Sequence, residues 1–338
     1  MSGTANLARK FAARLGKAAT IALLIIAATP AAADGTITSF DVDGASATLA
    51  QDINASGVVL GSYTDANDRY HGYLRAPDGA ITRFDPRHSR NTWPTGMNAH
   101  GAVTGYYLFN KYTTAGFIRS ARGKISRFDP DGSFGTLPCC INASGMVAGY
   151  YKDIHSDYHG FVRTTDGTVT TFDPDGSIFT TVMAMNIRGD IAGYYQVPGG
   201  DVHGFVRSAD GTISSFDARK NCWSIPYRID ARGVTIGSCI RGIAAGGFIR
   251  SASGEITHFD PPGSIETTPS DSVGSGLITG TFDDGHQEHG FLRGADGEFK
   301  VFDVPGSIDT GAAAISRAGV VAGSSYDGVT NHGFVRTP

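Results

Sequence analysis

Residues 181–217 read TVMAMNIRGDIAGYYQVPGGDVHGFVRSADGTISSFD. The stretch divides into Thr181 to Asn186, a turn at Ile187-Arg188-Gly189, Asp190 to Tyr195, a loop, His203 to Ser208, a turn at Asp210-Gly211, and Thr212 to Asp217. Short runs with a period near two, cut by glycine turns and carrying no helical stripe, predict four strands. Asp-Gly also stands at 78/79, 166/167 and 296/297. Between alternating runs this pair predicts a tight hairpin in which both turn residues take positive φ.

The same unit recurs along the chain. Phe-Asp falls at 40/41, 84/85, 128/129, 172/173, 216/217, 259/260 and 302/303, always 43 or 44 residues apart. Each copy holds a Gly-x-x-x-Gly, as at Gly57/Gly61, Gly145/Gly149 and Gly319/Gly323. Each also holds a Gly-aromatic-aliphatic-Arg, as at Gly72 to Arg75, Gly160 to Arg163 and Gly333 to Arg336. The repeats run 36–79, 80–123, 124–167, 168–211, 212–254, 255–297 and 298–338. Four antiparallel strands per 44 residues predict an all-β fold, a seven-bladed β-propeller of four-stranded antiparallel blades. An open solenoid of sheets is the alternative. Because the array opens on a fourth strand (36–41) and stops on a third (332–336), the N-terminal strand is expected to pair with the C-terminal strands and close the ring, removing free sheet edges.

Repeats of the form Ile-Asn-Ala-Ser-Gly-x-Val-x-Gly-Tyr-Tyr followed by His-Gly-Phe-Val-Arg resemble the extracellular HAF-repeat family of bacterial proteins, and the resemblance covers everything after Asp34. It implies secretion and a propeller-like all-β fold, and it carries no catalytic motif onto these positions.

Of the 338 residues, 41% are hydrophobic and 18% charged, a folded rather than a disordered composition. Arg9, Lys10, Arg14 and Lys17 precede an apolar stretch from Ala18 to Ala28 and small residues at 31–33. Residues 1–33 therefore read as a secretory signal peptide, its apolar core too short to span a bilayer. One propeller domain is expected over 34–338, secreted or periplasmic and without an integral membrane span. Removing the signal leaves 24 Lys+Arg against 32 Asp+Glu, a net charge of −8, which argues against nucleic acid as a partner.

Residues present in every repeat serve the scaffold first. The seven arginines from Arg75 to Arg336 are expected to bridge neighbouring blades through the aspartate of each Phe-Asp or through carbonyls. His71, His159, His203, His289 and His332 open the third strands of five blades. They stand too far from the axis to converge on a metal, so no metal and no cofactor is expected. Asp129 to Ser133 and Asp173 to Ser177 lack the distal Glu of a calcium loop and read as turns. Cys222 and Cys239 share a repeat and are candidates for a disulfide, whereas the adjacent Cys139 and Cys140, which could close only a strained ring, read as buried free thiols, with a vicinal disulfide or metal ligation as the alternatives.

Function is sought where the symmetry breaks. The second and fifth repeats replace the histidine with Ala115 and Gly246, and only they carry tryptophan. Arg87, Arg90 and Trp93, with Arg219, Lys220 and Trp223, are expected to form a cationic, aromatic surface on one loop face, beside the tyrosine pairs 106/107, 150/151 and 194/195. Such a surface suits an anionic glycan or a small anionic aromatic. The inner strands add Asp52, Arg228 and Asp271 to the channel wall. The enzymatic alternatives are a uronate lyase, with His88 or Tyr227 as base beside Arg228, and a glycoside hydrolase using Asp52 and Asp271. A protein-protein scaffold acting through the whole face is the third reading.

Overall fold

The computed structural model describes residues 35–338; the expected signal segment lies outside them. All regular structure in this range is strand. Across residues 179–216 the strands are Phe179–Met185, Ile191–Gln196, Val202–Arg207 and Ile213–Phe216, paired antiparallel in chain order. We call this unit 4. The preceding units lie within residues 47–84, 92–128 and 133–172, and the following ones within 223–259, 266–302 and 309–337. Units 5 and 6 share one sheet through a single parallel bridge between Ala245 and Glu266. Strand Thr36–Phe40 pairs with Asn331–Thr337 and so supplies the fourth strand of the last unit. That unit packs on the first: Ala314 and Ala322 cluster with Ala50, Ile53 and Val59, and Ser324 Oγ accepts a bond from the Ala50 amide at 3.0 Å.

The units adhere through aromatic rings. Tyr73, Phe117, Phe161, Phe205, Phe248, Phe291 and Phe334, one per third strand, are fully buried. Each stands edge-on to the Phe of the preceding Phe-Asp, centroids 5.9 to 6.4 Å apart, an arrangement the ring quadrupole favours. The repeated arginine, two residues on, lays its guanidinium over that same ring at 4.7 to 5.2 Å. The expected Arg–Asp bridges between units are therefore replaced by cation–π contacts, and the carbonyl that Arg207 Nη1 reaches, Ser208 O at 3.3 Å, belongs to the next residue of its own unit. Strand position explains the exchange: the Phe closes the outer strand and lies on the side that meets arginine, whereas the Asp falls just beyond the strand end, so the arginine finds a ring.

Two repeated glycines seat these rings, Gly193 beneath Phe205 and Gly204 beneath Phe216. A Cβ on Gly193 would fall 2.2 Å from Thr181 O and 2.7 Å from the Phe205 ring. Gly193→Ala is thus expected to cost about 1–3 kcal/mol through overpacking. Gly274→Ala, where a Cβ meets nothing within 4 Å, should be near neutral in the same urea titration; equal losses would refute the seating argument. The Asp-Gly hairpins differ from expectation. Only the glycine is left-handed, Gly211 at φ 98°; its amide bonds Ser208 O, and Asp210 Oδ1 accepts from the Thr212 amide. The loop is a three-residue turn closed by a left-handed glycine.

Candidate functional site

The third-strand histidines bind the aspartate of their own Phe-Asp. Nδ1 of His71, His159, His203, His289 and His332 lies 2.6 to 2.9 Å from Asp85, Asp173, Asp217, Asp303 and Asp41. Two of these aspartates also accept from the next unit, Asp85 from Thr92 Oγ1 and Asp173 from Thr180 Oγ1 at 2.5 Å, so a His–Asp–Thr chain crosses each of those junctions. Where histidine is absent the carboxylate finds substitutes: Asp129 takes Arg127 Nε at 2.6 Å, and Asp260 takes the Gly247 amide. Among the described residues no group of three or more His, Cys, Asp or Glu could hold a metal.

The His332 cluster sets a pH dependence. Hydrogen bonding to Asp41 raises the His332 pKa above 6.5. The amides of Thr330 and Val329, with His332, hold Asp327 at about 2. A raised histidine stabilises fully below its unfolded pKa and is lost as pH climbs past its folded value; a depressed carboxylate is lost as pH falls from 3.8 toward 2. The melting temperature is expected to be flat between about pH 4 and 6.5 and to decline on both sides, with the alkaline decline smaller in His332→Gln. An unchanged alkaline limb in that variant would remove the histidine from the explanation.

Around the axis, each inner strand carries a bulge near its end, as between Pro226 and Arg228. Arg228 Nε donates to Asp271 at 2.7 Å, and its Nη2 lies 3.7 Å from Asp52. Both carboxylates are buried and already accept backbone amides: Asp52 from Ile53 and Met97, Asp271 from Ser272 and Ile315. Every oxygen is engaged, which is the geometry of a structural clamp. It does not suit the hydrolase pair, whose acid and base must be free to exchange protons. The lyase candidates differ in setting. His88 is exposed on the link between units 1 and 2, Arg228 is held by the carboxylates, and burial pushes the Tyr227 hydroxyl up to about 12.

The six expected ligand contacts separate as well. Trp93 stands between Tyr106 and Tyr70, ring centroids at 5.2 and 5.5 Å, so its faces are used within the protein. Trp223 occupies a different register. Thr92 and Ser224 are equivalent, since Trp93 lies opposite Tyr106 and Ile225 opposite Ser238; Trp223 therefore sits two residues nearer the strand start. It is 44% exposed and has no ring partner among the described residues. Arg87, Arg90 and Arg219 are exposed on the links. The tyrosine pairs divide by strand alternation, Tyr106, Tyr150 and Tyr194 half-buried and their neighbours Tyr107, Tyr151 and Tyr195 buried.

Trp223 and Lys220 open onto a pocket of about 460 Å³ at the junction of units 4 and 5, lined also by His203, Asp217, Asp201 and Arg241. A disulfide between Cys222 and Cys239, Cα atoms 5.4 Å apart, ties the strand bearing Trp223 to the one bearing Arg241. Arg241 escaped the sequence reading, although a basic residue closing the second strand of the unit with two basic link residues was a visible signal. The free-thiol reading of Cys139 and Cys140 is corrected: they are joined to each other, and no described cysteine is free. The bulge between Pro138 and Cys140 breaks the alternation that would send adjacent side chains apart, and both sulfurs approach Ala148 O.

No family model and no curated protein matches the chain. Solved structures similar to it include a streptogramin B lyase (TM-score 0.59, 14% identity, 89% of this chain and 97% of that one) and virginiamycin B lyase from Staphylococcus aureus (0.59, 12%, 90% and 100%). YCF48 bound to D1 peptide is similar too (0.55, 10%, 91% and 96%). At such identities the likeness shows the β-propeller architecture alone. No helix among the described residues is long and apolar enough to cross a membrane.

Proposed function

We propose that the chain is a closed seven-bladed propeller, secreted or periplasmic, that binds a ring-bearing anion, a glycan or a small aromatic acid, in the pocket between units 4 and 5. The observation that carries the reading is Trp223, open to solvent beside Lys220 and Arg241, neither cation having an ion-pair partner among the described residues. An indole face stacks on a sugar or aromatic ring while cations take the carboxylate or sulfate. Pairing of strand Thr36–Phe40 with Asn331–Thr337 supports closure. Two disulfides suit an oxidising compartment, and the resemblance to extracellular repeat proteins agrees.

Titrating oligogalacturonate against the protein should quench tryptophan fluorescence. Trp223→Ala, or Lys220→Ala with Arg241→Ala, should weaken binding at least about tenfold, the loss expected of one stacking or charge-assisted contact; full affinity in these variants would refute the site. Closure has its own check. Thr38 and Val335 are Cα partners, so Thr38→Cys with Val335→Cys should oxidise to a cross-link seen in the mass of unreduced peptides. Its absence would argue for open ends.

A second reading, a protein partner on the loop face, has one observation in its favour. Phe109, Tyr112, Phe134, Ile154, Ile178, Ile243, Ile265, Ile308 and Val329, all exposed, lie on or beside second-to-third-strand loops and links between units. Absence of any saturable small ligand would move the weight to it.

A further inference from the structure

Five histidines in equivalent positions provide an internal comparison. In four of them both ring nitrogens face carboxylates: Nε2 of His71 meets Asp65 at 3.4 Å, His159 Asp153 at 3.9 Å, His289 Asp284 at 3.5 Å and His332 Asp327 at 3.3 Å. In unit 4 the residue at that loop position is Val197, whose amide bonds Asp201 O as the Asp65 amide bonds Arg69 O. His203 therefore keeps its Nδ1 contact with Asp217 at 2.7 Å, while Nε2 has no protein partner among the described residues. This is also the one of the five imidazoles that lines the pocket of Trp223, Lys220 and Arg241.

We infer that His203 is a general base and that the pocket catalyses β-elimination on a uronate glycoside; the inference rests on the ligand reading above. An Asp217 carboxylate accepting from Nδ1–H fixes the tautomer, leaving the lone pair on Nε2. Lys220 and Arg241 neutralise the sugar carboxylate, which acidifies the adjacent C–H. Nε2 takes that proton, the C–H electron pair becomes a C=C bond, and the bond from the next carbon to its glycosidic oxygen breaks. The departing oxygen takes a proton from water, and the imidazolium returns its own to solvent. Trp223 carries the ring. The same elements, a base beside a neutralised carboxylate, are those expected from sequence at His88, Tyr227 and Arg228; here His203 supplies the base.

The test uses the full chain with polygalacturonate, alginate and hyaluronan, following binding by tryptophan quenching and product by the ultraviolet absorbance of an unsaturated uronate. Product is expected from at least one polymer. It should fall about 10²-fold or more in His203→Gln, less in Asp217→Asn, and not in His159→Gln, with binding retained in all three variants. Diethyl pyrocarbonate gives a readout without substrate: His203 should be acylated before the other four third-strand histidines. Binding without product from every polymer, or acylation of His203 no faster than of His159, overturns the inference and leaves the binding site standing. Absence of both binding and product overturns the inference together with the glycan form of the ligand reading.

Discussion

Replacing Arg228 by leucine is expected to cost about 2–4 kcal/mol, read as a lower urea midpoint at pH 7. The figure sits slightly below the usual range for breaking a buried pair because the guanidinium is about one-third exposed. The loss arises less from the missing attraction than from what remains. Asp52 and Asp271 are buried, and without Arg228 they face each other's charge with only backbone amides to offset it. Burial already raises the Asp52 pKa, a trend Arg228 opposes and Asp271 reinforces. In the leucine variant Asp52 should therefore protonate more readily, and the deficit should shrink as pH falls from 7 toward 5. Adding Asp52→Asn and Asp271→Asn should recover most of the loss at pH 7. A deficit independent of pH and unmoved by the asparagines would mean the arginine acts by packing alone.

Phe205→Ala is expected to cost about 3–5 kcal/mol. Its ring is wholly buried, edge-on to Phe172 of unit 3 at 6.0 Å, and covers Gly193 of its own unit. Truncation empties the space between two units, and the Gly193 backbone that bounds it has no side chain with which to fill it. Arg207→Met removes the cation over Phe172 and keeps much of the stem; about 1 kcal/mol is expected there. Chemical denaturation orders the two variants, and hydrogen exchange should show protection lost first in strands on either side of the junction between units 3 and 4. If Arg207→Met cost as much as Phe205→Ala, the guanidinium rather than the ring would be holding neighbouring units together.

The fold was largely readable because the forces that set it repeat. A strand period of two, left-handed glycines at turns and a Phe-Asp every 43 or 44 residues each carry a local physical meaning that needs no tertiary knowledge. Partner choice was harder to read. Which side of the outer strand arginine meets, and so whether it finds Asp or Phe, depends on how units face each other. The two tryptophans look equivalent when links are compared and are not when Thr92 and Ser224 are aligned, since Trp223 precedes that position and Trp93 follows it. His203 was legible in principle, as Val197 is visibly not the aspartate its counterparts carry. The signal was a missing residue, and it gains meaning only once the geometry shows what the four other aspartates touch.

Strand Thr36–Phe40 leaves the ribosome before every other described strand, yet its partner, Asn331–Thr337, is the last of them to be made. For almost the whole of synthesis its backbone donors and acceptors have no native mate, and its late union spans nearly the length of the chain. The entropic penalty of that union grows only logarithmically with the intervening length. The delay is thus one of timing more than of stability. Earlier sheets can form in order behind an unpaired leader, whose own pairing waits for the last strand of the chain.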